Sequence, residues 1–233
     1  MIEKLAVLTV KSELPSAKLL GFDTFLEPED IPENVYTTIL RWGYGEPEEV
    51  YTSVLNAGPA IALNVRKYSA TIKLSEVVKT PKVFIKSVPA GRYVQRPFRH
   101  SKGVGFKLIT GPIGLPTGHY ASEVLTSDTE FRVWFSPKRC LAGLRVPITD
   151  EQSTENESPV PCRAEWGYSF RGTPKELSDV VCRARDHIGL DYGAADIVIM
   201  DGVPYFLELN SAPSIDCPRL IKFFKDELSV YHR

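Results

Sequence analysis

The segment Asp196–Pro213, DIVIMDGVPYFLELNSAP, decides how this chain is read. An apolar run, Ile197–Met200, meets Asp201-Gly202, a dipeptide that tolerates positive φ and so favours tight hairpin turns. A second run leads back and ends on Glu208-Leu209-Asn210. A strand built to be buried has little reason to finish on a carboxylate and an amide, or to have a partner beginning on Asp196. Such ends are either the decoration of a sheet edge or the seat of a cation. Glu208 and Asn210 are two apart, so both leave the strand by one face. A carboxylate beside a neutral oxygen suits Mg²⁺, which takes one or two protein oxygens and leaves the rest to phosphate and water. Whether Asp196 joins them depends on register. A plain two-residue loop sets Asp196 opposite Leu207 and off the face of Glu208, whereas a three-residue loop or a bulge sets it across from Glu208.

Upstream, Thr173-Pro174-Lys175-Glu176 reads as a capping box with proline at the first helical position. Leu177, Val180, Val181, Ala184 and Ile188 form the buried stripe of that helix, and Gly189 closes it. Downstream, DCPRLIKFFKDELSVY makes a last amphipathic helix with Asp216 as its N-cap. KLAVLTV (4–10), VYTTILRWG (35–43), TPKVFI (80–85), RYVQRPF (92–98), YASEVL (120–125) and EFRVWF (130–135) read as strands. RCLAGLRV is a hairpin partner for the last of these, and 64–77 has helical spacing in Ala70, Leu74 and Val77. RWGYG (41–45) reads as a glycine-ended strand tip. The acidic, Ser/Thr/Pro-rich run 149–161 reads as a surface loop. Strands arrive in pairs rather than in strict alternation with helices, which favours α+β with antiparallel sheets over a doubly wound fold.

A chain of 233 residues with 43% hydrophobic content can form one sizeable domain or two small ones. Its net charge of −1 gives no overall footprint for nucleic acid or an anionic membrane. The opening residues are charged too soon for a signal peptide, and no apolar run reaches membrane-spanning length. The four cysteines lack CxxC spacing and suit reduced thiols better than a disulfide frame or zinc. These features lead us to expect a cytoplasmic globular protein. The four histidines lie in unrelated contexts, so no Ser/His/Asp set emerges.

An Asp, a Glu twelve residues on, an Asn two further and then Ser-Ala-Pro together resemble the C-terminal metal motif of the ATP-grasp carboxylate–amine ligases. The likeness is greatest to the branch that adds glutamate to a ribosomal protein, and more distant to D-alanine–D-alanine ligase. Other segments agree in order over roughly residues 55–215. LNAGPAIALNVRKYSATIKLSEVVKTPKVF (55–84) resembles the family's entry segment, with Lys67 at the lysine that approaches the nucleotide phosphates. YVQRPFRHSKGVGFKLI (93–109) resembles the strand, glycine loop and strand that close over ATP. Arg96, seven residues before Gly103, stands where the family carries a phosphate-binding lysine. His100, Ser101, Gly103 and Gly105 belong to the loop that would offer backbone N–H groups to the phosphates.

YASEVL resembles the hinge strand that pairs with adenine, with Glu123 for the ribose hydroxyls. Arg132 in EFRVWF matches the arginine facing the transferred phosphoryl group. YSFRG (168–172) resembles an Asn-x-x-Arg-Gly segment, with Arg171 matched and tyrosine in place of asparagine. The resemblance implies an ATP-grasp fold of two α+β subdomains clasping ATP, at 79–118 and 119–233, after a reduced N-terminal α/β domain at 1–78. It implies Mg²⁺, or Mn²⁺ in its place, on Asp196, Glu208 and Asn210, with Arg132 and Arg171 as catalytic residues. The expected activity is ATP-dependent joining of a small-molecule or peptide carboxylate to an amine through an acylphosphate. The alternatives are a kinase acting on a hydroxyl and a non-catalytic ATP-binding module.

Overall fold

The computed structural model describes residues 4–45, 53–98, 105–126, 129–147 and 166–232. In chain order its elements are β1 (Leu5–Thr9), α1 (Leu14–Leu19), β2 (Asp23–Phe25), β3 (Thr38–Trp42), β4 (Ser53–Leu55), α2 (Gly58–Val65) and α3 (Lys67–Leu74). Then come β5 (Val83–Phe84), β6 (Ser87–Pro97), β7 (Lys107–Gly114), β8 (His119–Glu123), β9 (Thr129–Phe135) and β10 (Cys140–Pro147). Last are β11 (Trp166–Ser169), α4 (Lys175–Ile188), β12 (Gly193–Met200), β13 (Val203–Asn210) and α5 (Pro218–Leu228). The strand pairs legible in the sequence are present, and the run 149–161 lies outside the described residues.

Three sheets result. β1 and β3 are buried throughout and, apart from Thr9, Thr38 and Arg41, apolar, the pattern of strands inside a parallel sheet. They form a four-stranded parallel sheet in the order β2-β1-β3-β4. A second, antiparallel sheet runs β5-β8-β6-β7, and a third, also antiparallel, runs β11-β10-β9-β12-β13. This is the α+β arrangement expected, with a small α/β unit in front. Strand β8 is hydrogen-bonded into the second sheet, which therefore extends to Glu123.

The five-stranded sheet buries apolar side chains on both faces. Val133, Phe135, Ala195, Ile197, Phe206 and Leu209 lie in one core with α2, α3 and the α4 stripe of Leu177, Val180, Val181, Ala184 and Ile188. Trp134 and Ala194 lie in a second core with Leu220, Phe223, Phe224 and Leu228 of α5 and with Leu5, Val7, Leu40 and Trp42 of the parallel sheet. Each such large side chain contributes about 1.5–3 kcal/mol by leaving water. The N-terminal sheet is thus held to the rest by α5.

Three local expectations are corrected. Residues 64–77 are not one helix: α2 begins at Gly58, with Pro59 in its first turn, and the backbone leaves helical geometry at Arg66 (φ −80°, ψ 75°) before α3. Thr173 does not cap α4. Its hydroxyl accepts from the Ala142 N–H at 2.9 Å and donates to the Cys140 carbonyl at 3.1 Å, so β10 takes the group that the capping box would have used. Asp216 does not cap α5 either, since Cys217 occupies that position without a side-chain cap. Gly189 does end α4, in a left-handed conformation with its N–H on the Arg185 carbonyl.

Asn56 fastens the N-terminal unit to the site-bearing hairpin. Fully buried and at φ 60°, it accepts on Oδ1 from the N–H groups of Asp191 and Tyr192, at 2.8 and 2.9 Å. Its Nδ2 donates to the carbonyls of Arg41 and Tyr192, and its own N–H donates to Asp191 Oδ2 at 2.7 Å. Removing the amide strands several buried backbone groups at once. Asn56→Ala is expected to lower the unfolding free energy in urea by about 3 kcal/mol, and Asn56→Gly, which suits the positive φ, by somewhat less.

Candidate active site

Asp201 and Gly202 both have positive φ, 51° and 74°, and close β12 to β13 as a two-residue turn. Pairing is regular from Met200↔Val203 to Ile197↔Phe206 and then shifts, so that Asp196 lies across from Glu208 and Ala194 from Asn210. The turn is the short one, and a bulge at Leu207 supplies the missing residue of offset. Phe206 and Leu209, three apart, both reach the core, which strict alternation would forbid. Glu208 and Asn210 are left on the other face with Asp196.

The next strand extends the row. Arg132 on β9 pairs in register with Asp196, giving Arg132, Asp196 and Glu208 side by side across three strands. Asp196 has no exposed surface, and its Oδ1 lies 3.6 Å from Arg132 Nε. Asn210 Nδ2 donates to Glu208 Oε1 at 3.3 Å and to Asp196 Oδ2 at 3.5 Å. Lys67, at the first position of α3, places Nζ 3.8 Å from Glu208 Oε2 and donates to the Leu209 carbonyl at 2.8 Å. Two carboxylates therefore face two cations. Burial pulls the Arg132 pKa down, but Asp196, Tyr168 and Glu208 outweigh it and hold the guanidinium above the ordinary arginine range.

Glu130, which shares a face with Arg132, pairs instead with Arg145 Nη1 at 2.5 Å. Arg145 Nη2 donates to the Tyr168 hydroxyl at 3.5 Å. Tyr168 and Arg145 are members of this cluster that sequence reasoning did not assign, because alternation on β10 and β11 marks a face but not a reach. Arg96 lies directly across from Tyr120 in the second sheet, and its guanidinium sits 4.6 Å from the centre of the Phe106 ring. Burial raises the Tyr120 phenol pKa, opposed by the charge and hydrogen bond of Arg96, while Glu208 adds to the rise.

The remaining candidates are more scattered. The Glu123 N–H donates to the Lys82 carbonyl at 2.9 Å and the Val124 N–H to the Arg92 carbonyl at 3.2 Å, so both hinge amides are engaged by backbone. Glu123 Oε2 accepts from the Lys82 N–H at 3.4 Å. Arg171 is exposed and lines a 430 Å³ pocket with Phe131 and Leu144, on the opposite face of the sheet from Arg132. Gly105 has φ 78°, while His100, Ser101 and Gly103 lie outside the described residues. Gly43 at the tip of β3 also has positive φ, and a side chain there would meet Ala212 Cβ at 3.1 Å. That contact sets the end of the parallel sheet against the loop following Asn210.

The donor set fits a hard cation in one way only. Among the described residues, no three His, Cys, Asp or Glu side chains stand together as a metal cage. Asp196, Glu208 and the Asn210 amide oxygen supply two charged oxygens and one neutral one, the partial shell that Mg²⁺ completes with phosphate and water. Rotating the Asn210 amide turns its oxygen towards the carboxylates' side, where Nδ2 now donates.

No family model and no curated protein matches the chain. Solved structures do. D-alanine–D-alanine ligase from Bacillus anthracis, complexed with ATP, superposes with a TM-score of 0.67 at 12% identity over 100% of this chain and 96% of its own. A Chryseobacterium gregarium RiPP-associated ATP-grasp ligase, in complex with ADP and a leader and core peptide, gives 0.66 at 12% over 99% and 96%. A RimK domain ATP-grasp protein from Sphaerobacter thermophilus gives 0.62 at 12% over 98% and 99%. The chain has the ATP-grasp fold. Among the described residues no helix is long and apolar enough to cross a membrane.

The buried pair has a consequence for stability. Asp196→Asn leaves Arg132 as a largely buried cation without its counter-charge and is expected to cost about 3–5 kcal/mol in urea unfolding. Glu208→Gln, at a site that water and Lys67 both reach, is expected to cost less than about 1 kcal/mol.

Proposed function

We propose that the chain is an ATP-dependent ligase that joins a carboxylate to an amine through an acylphosphate. The observation that carries the proposal is the row Arg132, Asp196 and Glu208, set in register by the Leu207 bulge and completed by Asn210 and Lys67. Nucleotide would lie between the two antiparallel sheets; since β8 belongs to the first of them, the boundary expected at 118/119 moves past Glu123, with 1–78 preceding both clasping subdomains. Asp196, Glu208 and Asn210 would hold Mg²⁺, which would supply positive charge to offset that of the phosphates.

The chain's own groups do the rest by positioning and electrostatics. Lys67 leaves Glu208 for the nucleotide phosphates, and Arg96 presents a planar donor pair to phosphate oxygens. A substrate carboxylate oxygen attacks the γ-phosphorus, the bond to the β-bridging oxygen breaks, and ADP departs. An amine nitrogen then attacks the acyl carbon, phosphate leaves with the bonding pair, and the amine's proton is lost to solvent. Arg132 faces the phosphoryl group in both steps. Arg171, on the far face in this structure, serves only if its loop reorients. Glu123 and the glycine loop would hold the ribose and phosphates.

What supports an amino acid or a peptide as substrate is the fold's likeness to D-alanine–D-alanine ligase and to a ligase holding a leader and core peptide. An amino acid or a peptide is therefore the acid to try first. Purified protein with ATP, Mg²⁺, hydroxylamine and a panel of such acids is expected to yield a hydroxamate and ADP. ADP without hydroxamate would identify a kinase instead. Glu208→Gln is expected to lower ADP release at least 100-fold with thermal unfolding unchanged, and near-normal turnover would overturn the assignment.

A further inference from the structure

Charge is spread unevenly along this chain. Residues 79–123 carry eight lysines and arginines against one carboxylate, Glu123, although the net charge of the whole is −1. Arg96 and Tyr120 share one face of the second sheet, and Lys107, opposite Gln95, lies on the other. β7 ends that sheet, hydrogen-bonded to β6 alone among the described strands, and most of its eight residues are exposed. Ile109, opposite Tyr93, and Ile113, opposite Val88, follow Lys107 on its face, and Leu115 continues the row past the strand's end. The Leu115 N–H donates to the Lys86 carbonyl at 2.8 Å, so alternation sets Lys86 on this face at the far end of the row. Two exposed cations thus bracket an apolar row in which Ile113 is 50% exposed. The cluster beneath, completed by Phe84 and Ala121, contains no helix residue. Leu108, on the opposite face of β7, is 44% exposed.

A strand at the edge of a sheet is a template for another strand. Lysine there keeps identical edges apart, because like charges would meet across the pair. The same lysines attract an acidic strand. Among the described residues neither Lys86 nor Lys107 has an ion-pair partner, whereas Lys73, Lys175 and Lys222 each meet a carboxylate three or four residues along. We propose that the β7 edge is a docking site for an extended acidic peptide segment of a partner protein. The segment adds to the second sheet as a fifth strand, lays apolar side chains beside Ile109 and Ile113, and sets carboxylates against Lys107 and Lys86. The row from residue 107 to residue 115 is about 26 Å long at roughly 3.3 Å per residue, so the segment carries acidic groups about eight residues apart. Nucleic acid fits less well, because the exposed groups between the cations are aliphatic and offer no ring on which a base could stack. The inference does not rest on the ligase reading, since nothing in it uses ATP.

The probe is a fluorescein-labelled eleven-residue peptide with two glutamates at each end and alternating threonine and valine between them. Titrated without nucleotide and read by fluorescence anisotropy, it is expected to bind saturably. Kd is expected to rise at least about 10-fold when lysines replace the glutamates, and about 10-fold between 50 and 500 mM NaCl. N-methylating alternate residues of the probe keeps its charge and removes the donors along one edge. One of the two alternate sets is expected to weaken binding at least about 10-fold, and the other to have little effect. Lys86→Glu combined with Lys107→Glu is expected to weaken binding at least about 10-fold, with the thermal midpoint within about 2 °C of the parent. Ile113→Thr, which keeps the strand and removes apolar contact, is expected to weaken it about 3-fold. No saturation by 1 mM probe would overturn the proposal, and so would equal binding of the two N-methylated sets, which would reduce the site to charge alone. Tighter binding of an eleven-nucleotide oligothymidylate would give the edge to nucleic acid instead. Dimerisation in sedimentation that the double variant abolishes would give it to a second copy of the chain. None of these measurements needs turnover, so the ligase proposal stands or fails separately.

Discussion

Asp196 is a carboxylate without exposed surface, and the site is arranged around its burial. Taking a carboxylate out of water costs several kcal/mol unless it is paired and hydrogen-bonded. Arg132 from the adjoining strand and the Asn210 amide from the facing one are the groups that offset that penalty. Both depend on register. A hairpin without the Leu207 bulge would present Leu207 to Asp196 and turn Glu208 and Asn210 towards the apolar core. One inserted residue therefore decides between a greasy strand and a polar row.

The same register links site and fold. Phe206 and Leu209 flank the bulge and are both buried in the core beneath α3 and α4, so the packing that stabilises the sheet also holds the bulge in place. Lys67 leads α3 and reaches over the sheet edge to the Leu209 carbonyl and Glu208. The break at Arg66 puts it there: α3 starts afresh, aimed independently of α2. On the other side, Asn56 joins the end of β4 to the start of β12. The parallel sheet is thus fastened to β12 a few residues from Asp196. Gly43 against Ala212 makes a second such fastening.

Much of this was legible beforehand because it rests on local chemistry. Alternation marked the strands, Asp201-Gly202 marked the turn, and the demand that Asp196 face Glu208 reduced the hairpin to two geometries. Apolar composition could not choose between them, since Leu207 and Leu209 look alike on paper and only packing shows that Leu209 goes inward. Capping failed as a guide for α4 because a tertiary neighbour, the exposed backbone of β10, competes for the Thr173 hydroxyl more effectively than the helix does. Arg171 illustrates a different limit. Its short segment matched a pattern, but a strand edge gives no information about which face a following loop will take. Tyr168 and Tyr120 were illegible for the complementary reason: each acts across strands, where sequence distance carries no signal.

Two departures from the family pattern, Arg96 for lysine and Tyr168 for asparagine, have a common physical form. A lysine at 96 would be a mobile, strongly hydrated point charge, whereas a guanidinium can be clamped. Here the guanidinium sits 4.6 Å from the centre of the Phe106 ring, with Tyr120 opposite Arg96 in the sheet register. Tyr168 is likewise held by its surroundings, wedged on Trp134 over Gly143 and reached by Arg145. On the ligase reading, a guanidinium so placed would lose less freedom on meeting a phosphate than a flexible ammonium group would. At position 96 the exchange keeps the charge and changes how it is held.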